Sequence, residues 1–331
     1  MAGIDERYAR HGSKGIDNPF VGNAAPTQLP VQHRIAFGTV VCHGGDHGPP
    51  PDLGKRRARE RVPMQDQELR FSGSVPAQYE ALMVPLLFRP YAEEVARRAR
   101  AFAPARVLET AAGTGAVTRA LIAALPDAEI VATDLNQPML DVNAQQSGAD
   151  RARFIQADAQ QLPFADAAFD LVVCQFGAMF FPDKVRGHAE ARRILDDGGH
   201  YLLAIWDILE RNPLTAATQQ VLIDAFPDNP PLFMREGPFG YADTSRIESD
   251  LHDAGFDTVE IETVDLRSRC PSAREAAMAL CYGTPMGVEL DEREPGSIDR
   301  IFPLVEQALR QFEGPDGIDA PMSAHIVTAT R

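Results

Sequence analysis

The residues best suited to chemistry lie in one short stretch, Val107 to Gly115, which reads VLETAAGTG. A strand-like run ends in the acid Glu109, and Gly113 and Gly115 follow in a loop of small residues. A strand that turns through glycines into a helix forms a nucleotide-sized notch at the carboxyl end of a parallel sheet. Glycine suits such a loop because a ligand must approach the bare backbone and because the turn can need a positive φ. The stretch therefore predicts a nucleotide-binding loop.

Two common nucleotide-binding loops fit this stretch poorly. A dinucleotide fingerprint carries a third glycine that lets helix and strand pack closely, and Thr118 stands at that position. A P-loop needs a phosphate-binding lysine, and none follows Gly115. On the loop alone, three interpretations stay open: a dinucleotide such as NAD or FAD, a different nucleoside-containing cofactor, and a purely structural turn.

Two further strand-like runs end in acids. The run Glu129–Asp134 ends 19 residues after Gly115, and Arg153–Gln156 is followed closely by Asp158. A carboxylate at the first position can accept hydrogen bonds from both hydroxyls of a ribose, although either acid can also cap its own strand end. A ribose occurs in more than one cofactor, so Asp134 alone does not decide between them.

The order of these segments resembles that of the class I S-adenosylmethionine (SAM) methyltransferases, in particular the small-molecule enzymes of ubiquinone and menaquinone biosynthesis. The glycine loop resembles motif I, with Ala111 in place of the usual first glycine. The family's later motifs have counterparts in this chain at Asp134–Leu140, Asp158–Phe164, Ala168–Cys174 and Asp196–Ile205, each of which resembles one of them. The resemblance covers residues 74–206, with a weaker tail.

The resemblance implies SAM as the cofactor. In the family a methionine lies against the adenine and an acid contacts its amino group, which are roles for Met139 and Asp158 here. The matching positions are Tyr79, Glu109, Ala111, Gly113, Thr114, Gly115, Asp134, Leu135, Met139, Asp158, Ala159 and Gln175. Plain packing competes with these roles for Tyr79 and Met139, and a loop acid competes for Glu109.

Methyl transfer from a sulfonium is an in-line displacement, so the protein mainly positions donor and acceptor. A carbon or oxygen acceptor also loses a proton, for which a base is useful. Asp207 follows the fifth strand and is the candidate base, with an ordinary loop acid as the alternative; His188 is a weaker candidate. The predicted acceptor side is apolar, with core packing as the competing interpretation, and consists of Phe176, Met179, Phe180, Trp206, Phe233 and Met278.

Strands and helices alternate from Arg106 to Asp207, which predicts an α/β fold of the Rossmann-like type. The family resemblance implies a seven-stranded, mostly parallel sheet with an antiparallel last strand and helices on both faces. Beyond Asp207 the pattern loosens, and 208–241 and 267–324 are predicted as helical cap insertions. Both would leave carboxyl ends of strands, beside the ligand crevice.

Residues 1–63 differ in composition from the rest of the 331-residue chain. They hold nine glycines and seven prolines, and they predict a disordered or non-native extension before a methyltransferase domain at 64–331. Cys42, His43 and His47 lie together there, but no second cluster completes a metal site, so none is predicted.

Composition narrows the function classes. The formal net charge of −15 argues against a nucleic-acid partner, because phosphate binding needs clustered cations. No apolar run reaches the length of a membrane span, and the four cysteines show no paired spacing, which together predict a cytoplasmic protein. An active methyltransferase on a small, partly apolar or aromatic molecule is the main hypothesis. A non-catalytic subunit of the same fold that binds a partner protein is the alternative, and an NAD-dependent dehydrogenase ranks third.

Overall fold

The computed structural model describes residues 75–331, so the predicted extension 1–63, with Cys42, His43 and His47, lies outside the described residues. Its centre is one sheet with the strand order β3-β2-β1-β4-β5-β8-β6, and a short strand β7 pairs with β8. The strands are β1 Arg106–Glu109, β2 Glu129–Asp134, β3 Ala152–Gln156, β4 Phe169–Gln175, β5 Leu195–Trp206, β6 Thr258–Cys270, β7 Glu313–Gly314 and β8 Gly317–Thr330.

The pairing confirms the predicted mostly parallel sheet. Strands β1 to β5 pair in parallel, whereas β8 runs antiparallel between β5 and β6. The central strands are apolar on both faces, as in β4, where Leu171 to Cys174 are all buried. The chain order reverses between β1 and β4, and ligands bind outside the carboxyl ends of strands at such a point. The fold thus presents the glycine loop, which follows β1, at the expected ligand edge.

Eleven α-helices surround this sheet within the described residues. They are α1 Val75–Gln78, α2 Arg89–Phe102, α3 Ala116–Ala124, α4 Gln137–Asn143, α5 Lys184–Ile194, α6 Pro213–Ala225, α7 Phe233–Glu236, α8 Thr244–Asp253, α9 Ala273–Tyr282, α10 Met286–Arg293 and α11 Ser297–Leu309. Side-chain caps fix several starts: Asp183 accepts from the Arg186 N–H at α5, and Ser272 accepts from the Glu275 N–H at α9. None of the helices in 75–331 is both long and apolar enough to cross a membrane.

A ten-residue π-helix, Tyr79–Phe88, joins α1 to α2. The sequence predicts two helical stretches interrupted at Pro85 and Pro90, yet the segment continues without a break. Proline has no N–H and its ring collides with the carbonyl four residues earlier, so Pro85 disfavours a regular α-helical turn. The segment is wound more widely instead, and the Arg89 N–H donates to the Val84 carbonyl, five residues back. Pro90 lies in the first turn of α2, where a missing N–H costs nothing.

The second insertion is narrower than predicted. Strand β6 stays paired with β8 as far as Cys270 and Ile318, so 267–270 and 317–324 belong to the sheet. The sequence pattern misses this extension because Arg267, Ser268 and Arg269 are polar and Gly317 and Pro321 are typical of loops rather than of strand interiors. Helices α9, α10 and α11 fill the remaining insertion, and α11 packs against α6 of the first insertion.

Candidate cofactor and acceptor site

The glycine loop has the left-handed backbone that its composition predicts. Gly113 and Gly115 have φ values of 54° and 95°, and Ala111 has a φ of 52°. A side chain on Gly115 would collide with the amide of Asn143, so glycine is required there for space as well as for backbone conformation. Ala111 adopts the conformation for which the resembled family uses glycine, and it carries the strain of a Cβ there.

The Asp134 carboxylate lies at the end of β2 and faces this loop. One oxygen accepts from the Gly113 N–H and the other from the Asn136 N–H, both at 2.8 Å. The side chain is almost fully buried, and burial raises its pKa, while the backbone hydrogen bonds act in the opposite direction. Asp134 is therefore a buried acid held at the edge of the loop, and its ribose role stays a prediction.

Glu109, at the end of β1, belongs to a buried chain of hydrogen bonds. Its carboxylate accepts from the Thr118 hydroxyl at 2.6 Å, and that hydroxyl accepts from the Asn143 amide at 2.9 Å. Burial raises the pKa of Glu109 to about 8, against the hydrogen bond from Thr118 and assisted by the nearby charge of Asp134. Thr118 and Asn143 are site residues that sequence reasoning missed. The available signal was a threonine on the buried face of α3, where the dinucleotide fingerprint would have glycine.

The loop, β4 and the π-helix enclose a small cavity. Six of the predicted cofactor residues line it: Tyr79, Glu109, Ala111, Gly113, Thr114 and Gln175. Its other lining residues are Val84, Phe88, Ala112, Ala116 and Val117. The structure therefore brings together the N-terminal segment and the motif I loop, which are separated in sequence.

Two buried polar atoms in the lining of this cavity have no hydrogen-bond partner among the described residues. The Thr114 hydroxyl and the Gln175 side-chain carbonyl are buried without a hydrogen-bond partner among residues 75–331, whereas the Gln175 amide donates to the Phe88 carbonyl at 3.2 Å. Buried polar atoms are rarely left unpaired, so these two fit a polar molecule in the cavity. Tyr79 lines the same cavity as the loop, and burial of its hydroxyl and the charge of Asp134 both raise the pKa of Tyr79.

Six predicted cofactor residues are not in the lining of this cavity: Gly115, Asp134, Leu135, Met139, Asp158 and Ala159. Met139 is buried against the loop, with its methyl carbon 3.7 Å from where a Cβ on Gly113 would lie. Asp158 accepts from the Gln160 N–H at 2.8 Å and so caps its own turn, one strand away from Asp134. Leu135 and Ala159 follow β2 and β3 beside them. Their cofactor roles stay predictions.

A cluster of aromatic rings lies next to the cavity. The Phe176 ring stacks flat on Trp206, with centroids 3.9 Å apart, and the Tyr91 ring packs edge-on against both. Phe88, which lines the cavity, packs against Phe176 and Trp206 as well. Phe176 has a φ of 54°, which is unusual for a bulky residue and typical of functional sites. The predicted acceptor residues Phe176 and Trp206 thus form one wall that continues from the cofactor cavity.

The remaining acceptor candidates extend this wall toward the insertions. A Cβ on Gly237 would lie 3.5 Å from Phe180 and 3.7 Å from Phe233, so the loop after β4 and α7 of the first insertion are neighbours. Met179 is buried beside Phe180. Met278 is half-buried on α9, a helix that packs against the π-helix.

Asp207 is directed elsewhere. Its carboxylate accepts from the Ser323 hydroxyl at 2.9 Å, pairs with Arg211 at 2.9 Å and lies 3.4 Å from the His325 ring. Asp207, Arg211 and His325 line a separate open cleft of about 570 Å³ with Asp265 and the start of α8. The structure does not bring Asp207 to the glycine loop, and its role as a base stays a prediction.

His188 is a core residue. It is fully buried between aromatic rings, and its Nε2 lies 3.3 Å from the Tyr241 hydroxyl, which donates to Asp250. Burial lowers the pKa of His188 to about 3, so the ring is neutral at ordinary pH.

Comparison with known proteins agrees with this geometry. Residues 107–199 match a methyltransferase domain family. The chain is 41% identical to the demethylmenaquinone methyltransferase of Deinococcus radiodurans over 117 residues. This alignment covers 35% of this chain and 48% of that protein. It is 34% identical over 154 residues to the ubiquinone/menaquinone biosynthesis C-methyltransferase UbiE of Methylobacterium nodulans, covering 43% and 61%.

A third relative is named for a different methyl transfer activity. The malonyl-[acyl-carrier protein] O-methyltransferase of Geobacter sulfurreducens is 31% identical over 159 residues, which covers 48% of this chain and 58% of that protein. A solved structure, the YcgJ protein of Bacillus subtilis, superposes with a TM-score of 0.48 at 18% identity, covering 72% of this chain and 98% of that chain. The chain spans between 48% and 61% of the length of these three curated relatives.

Proposed function

We propose that this chain, whose residues 107–199 match a methyltransferase domain family, transfers a methyl group from SAM to a small, partly apolar or aromatic acceptor. The observation that carries the proposal is the buried Asp134 carboxylate, which holds the Gly113 backbone at the carboxyl edge of the sheet. An acid that served only to cap its strand would not need to be buried against a loop with three left-handed residues.

The protein contributes binding and orientation. SAM supplies an electrophilic methyl group on a sulfonium. Asp134 binds the ribose hydroxyls, and Thr114 and Gln175 offer their unpaired polar atoms to the rest of the cofactor. Glu109 lines the cavity and also fixes the start of α3, because its carboxylate accepts from the Thr118 hydroxyl, which in turn accepts from the Asn143 amide.

The acceptor side follows from the aromatic wall. Phe176 and Trp206 form a buried, stacked pair that packs against Phe88 of the cavity lining, and rings of this kind suit a planar acceptor and a cationic methyl donor. The insertions close this side, with Phe233 and Met278 as the residues that exclude water from the acceptor. Excluding water strengthens the electrostatic interactions inside the site and prevents side reactions.

A direct experiment tests the cofactor. Mass spectrometry of the ligand released from the purified protein is expected to find SAM or S-adenosylhomocysteine, and titration with SAM is expected to show one site. A protein that neither retains nor binds an adenosyl compound would overturn the proposal. Asp134→Asn serves as the matched variant, because it keeps the shape of the side chain and removes the charge.

We also propose a cytoplasmic location, supported by the three cysteines of the described residues, Cys174, Cys270 and Cys281, all of which are free thiols.

A further inference from the structure

Lys184, the first residue of α5, binds the backbone of the loop that follows β4. Its Nζ donates to the Met179 carbonyl at 2.9 Å and to the Phe181 carbonyl at 2.8 Å. This loop, residues 176–181, carries three of the predicted acceptor residues and contains the short 3₁₀-helix Ala178–Phe180. Carbonyls at the end of a helix lack partners within the helix, and one ammonium group can donate to two of them at once.

The same ammonium group contacts the end of the first insertion. The Lys184 Nζ lies over the Tyr241 ring, 5.1 Å from its centroid, and Tyr241 is the last residue of that insertion. A cation within about 6 Å of a ring centroid is attracted by the ring face, more strongly where water is excluded. Tyr241 is 1% exposed, so its ring is shielded from water. Lys184 therefore connects the loop after β4 to the first insertion.

Tyr241 is itself held in place by hydrogen bonds to two helices. Its hydroxyl donates to Asp250 of α8 at 2.8 Å and lies 3.3 Å from the His188 Nε2 of α5. Because the hydroxyl proton is directed at Asp250, the hydroxyl oxygen is left to accept from His188. The ring is thus fixed at its polar end and offers Lys184 a partner with a defined position.

The first half of the loop has contacts that do not involve Lys184. The Phe176 N–H donates to the Ala204 carbonyl of β5 at 2.8 Å. A Cβ on Gly177 would collide with the Cβ of Ala111, so this part of the loop lies directly against the glycine loop. The side of the loop that faces the predicted cofactor site is therefore fixed by the sheet and by the glycine loop.

The second half of the loop lies against the first insertion. A Cβ on Gly237 would lie 3.5 Å from the Phe180 ring and 3.7 Å from the Phe233 ring, so these two predicted acceptor residues are neighbours. The two carbonyls that Lys184 binds belong to the residues on either side of Phe180. Fixing the backbone on both sides of a residue fixes the direction of its side chain.

We propose that Lys184 is a positioning residue for the acceptor, because it holds Phe180 and the second half of the loop against the first insertion. The inference rests on the proposed function, since this apolar wall is where the acceptor of the methyl group is expected. Lys184 acts through two backbone carbonyls and the Tyr241 ring, without touching the acceptor. Its loss should loosen the wall and leave the glycine loop, and with it SAM binding, intact.

The first readout is the fluorescence of Trp206, the only tryptophan of the chain. Trp206 is 3% exposed, stacks on Phe176 and packs against Phe239 of the first insertion with ring centroids 5.8 Å apart. Its accessibility therefore reports whether the loop and the insertion stay together. Lys184→Met keeps the length of the side chain and removes the ammonium group. We expect a higher acrylamide quenching constant for Trp206 in this variant and an unchanged Kd for SAM.

The second readout is methyl transfer, measured as S-adenosylhomocysteine release with 1,4-naphthohydroquinone, catechol and octanoate as probe acceptors. Displacement of a substrate-positioning group by about 1 Å can lower a rate about 100-fold, so kcat/KM of Lys184→Met should fall about 10- to 100-fold. Lys184→Arg keeps the charge and several donors, and it should restore most of the transfer and the low quenching.

Arg246→Met is the matched control. The Arg246 guanidinium also lies over the Tyr241 ring, 5.6 Å from its centroid, and its carboxylate neighbour is Asp250 of its own helix at 3.7 Å. This variant removes a cation from the same ring and leaves the bonds from Lys184 to the loop in place. It should keep wild-type quenching and transfer, and thermal unfolding shows which variants remain folded.

The outcomes separate this inference from the proposed function. Wild-type quenching in folded Lys184→Met would overturn the positioning role, and so would equal effects of Lys184→Met and Arg246→Met. A loss of SAM affinity in step with transfer would place Lys184 on the cofactor side and overturn it too. If the wild-type protein binds no SAM, the proposed function itself fails, whereas the quenching result still decides whether Lys184 holds the loop.

Discussion

The Asp134 carboxylate accepts a hydrogen bond at 2.8 Å from the N–H of Gly113, the residue at the centre of the glycine loop. The acid that is proposed to bind the ribose therefore also fixes the loop that must lie under the cofactor. Because Asp134 is nearly buried, its charge acts in a medium that screens it less than water does. The two functions of this side chain are coupled.

Asp134→Asn should consequently weaken SAM binding without unfolding the protein. Loss of hydrogen bonds to a charged group predicts a cost of about 1.5–3 kcal/mol in binding free energy. Isothermal titration calorimetry measures it, with Asp141→Asn as a control for the same change of charge on the exposed face of α4, where Asp141 accepts from the Gln137 amide at 2.7 Å. Equal affinities for Asp134→Asn and wild type would remove the ribose assignment.

Ala111→Gly should stabilise the protein. Ala111 has a φ of 52°, where a Cβ destabilises the folded state by about 1–2 kcal/mol, so glycine relieves this strain. Glycine also makes the unfolded chain more flexible, which offsets about 0.4–1 kcal/mol of the gain. We expect the free energy of unfolding to rise by about 0.5–1 kcal/mol, measured by urea denaturation. Ala167→Gly, at a φ of 56° in an exposed turn, should give a similar gain. A loss of stability in both variants would contradict the strain argument.

Glu109 should make stability depend on pH. Its folded pKa of about 8 exceeds the ordinary value of 4.5, so between these values the folded protein holds a proton that the unfolded chain has released. This contribution is complete below pH 4.5 and is lost as the pH rises toward 8, by at most about 1.4 kcal/mol per pH unit. Urea unfolding across this range should show a steeper fall for wild type than for Glu109→Gln. Parallel curves for the two proteins would mean that Glu109 is ionised in the fold.

Local patterns in the sequence were sufficient for strands β1 to β5 and for the glycine loop. Strands such as β4 are continuous apolar runs, and the positive φ values of Gly113 and Gly115 follow from the need for glycine in a tight turn. Asp134 was predictable because it ends a strand at a fixed distance from the loop. These features depend on neighbouring residues in the chain.

Other features depend on contacts between distant residues. Ser323, which donates to Asp207, comes 116 positions later in the chain, so no local pattern shows that this acid is engaged. The partnership of Thr118 with Asn143 likewise requires α3 and α4 to pack together. The π-helix follows from Pro85 inside a segment that packing keeps helical, whereas proline alone predicts a break.

Polar substitutions in the two insertions should separate acceptor chemistry from cofactor binding. Phe233 adjoins Phe180 near Gly237, and Met278 lies on helix α9, which packs against the π-helix Tyr79–Phe88. If these side chains shield the acceptor, Phe233→Ser and Met278→Gln should lower methyl transfer while the Kd for SAM stays unchanged. Apolar contacts of this kind are worth about 1–3 kcal/mol, so kcat/KM should fall roughly 10- to 200-fold.

The control for this prediction is Leu304→Ser, because Leu304 is 46% exposed on α11 of the second insertion. It should leave transfer and SAM binding at wild-type values. SAM affinity comes from calorimetry and transfer from the rate of S-adenosylhomocysteine release with a panel of small aromatic and aliphatic acceptors. If Phe233→Ser and Met278→Gln lose SAM affinity in step with activity, the insertions act on the cofactor side, and if they lose neither, they do not shield the acceptor.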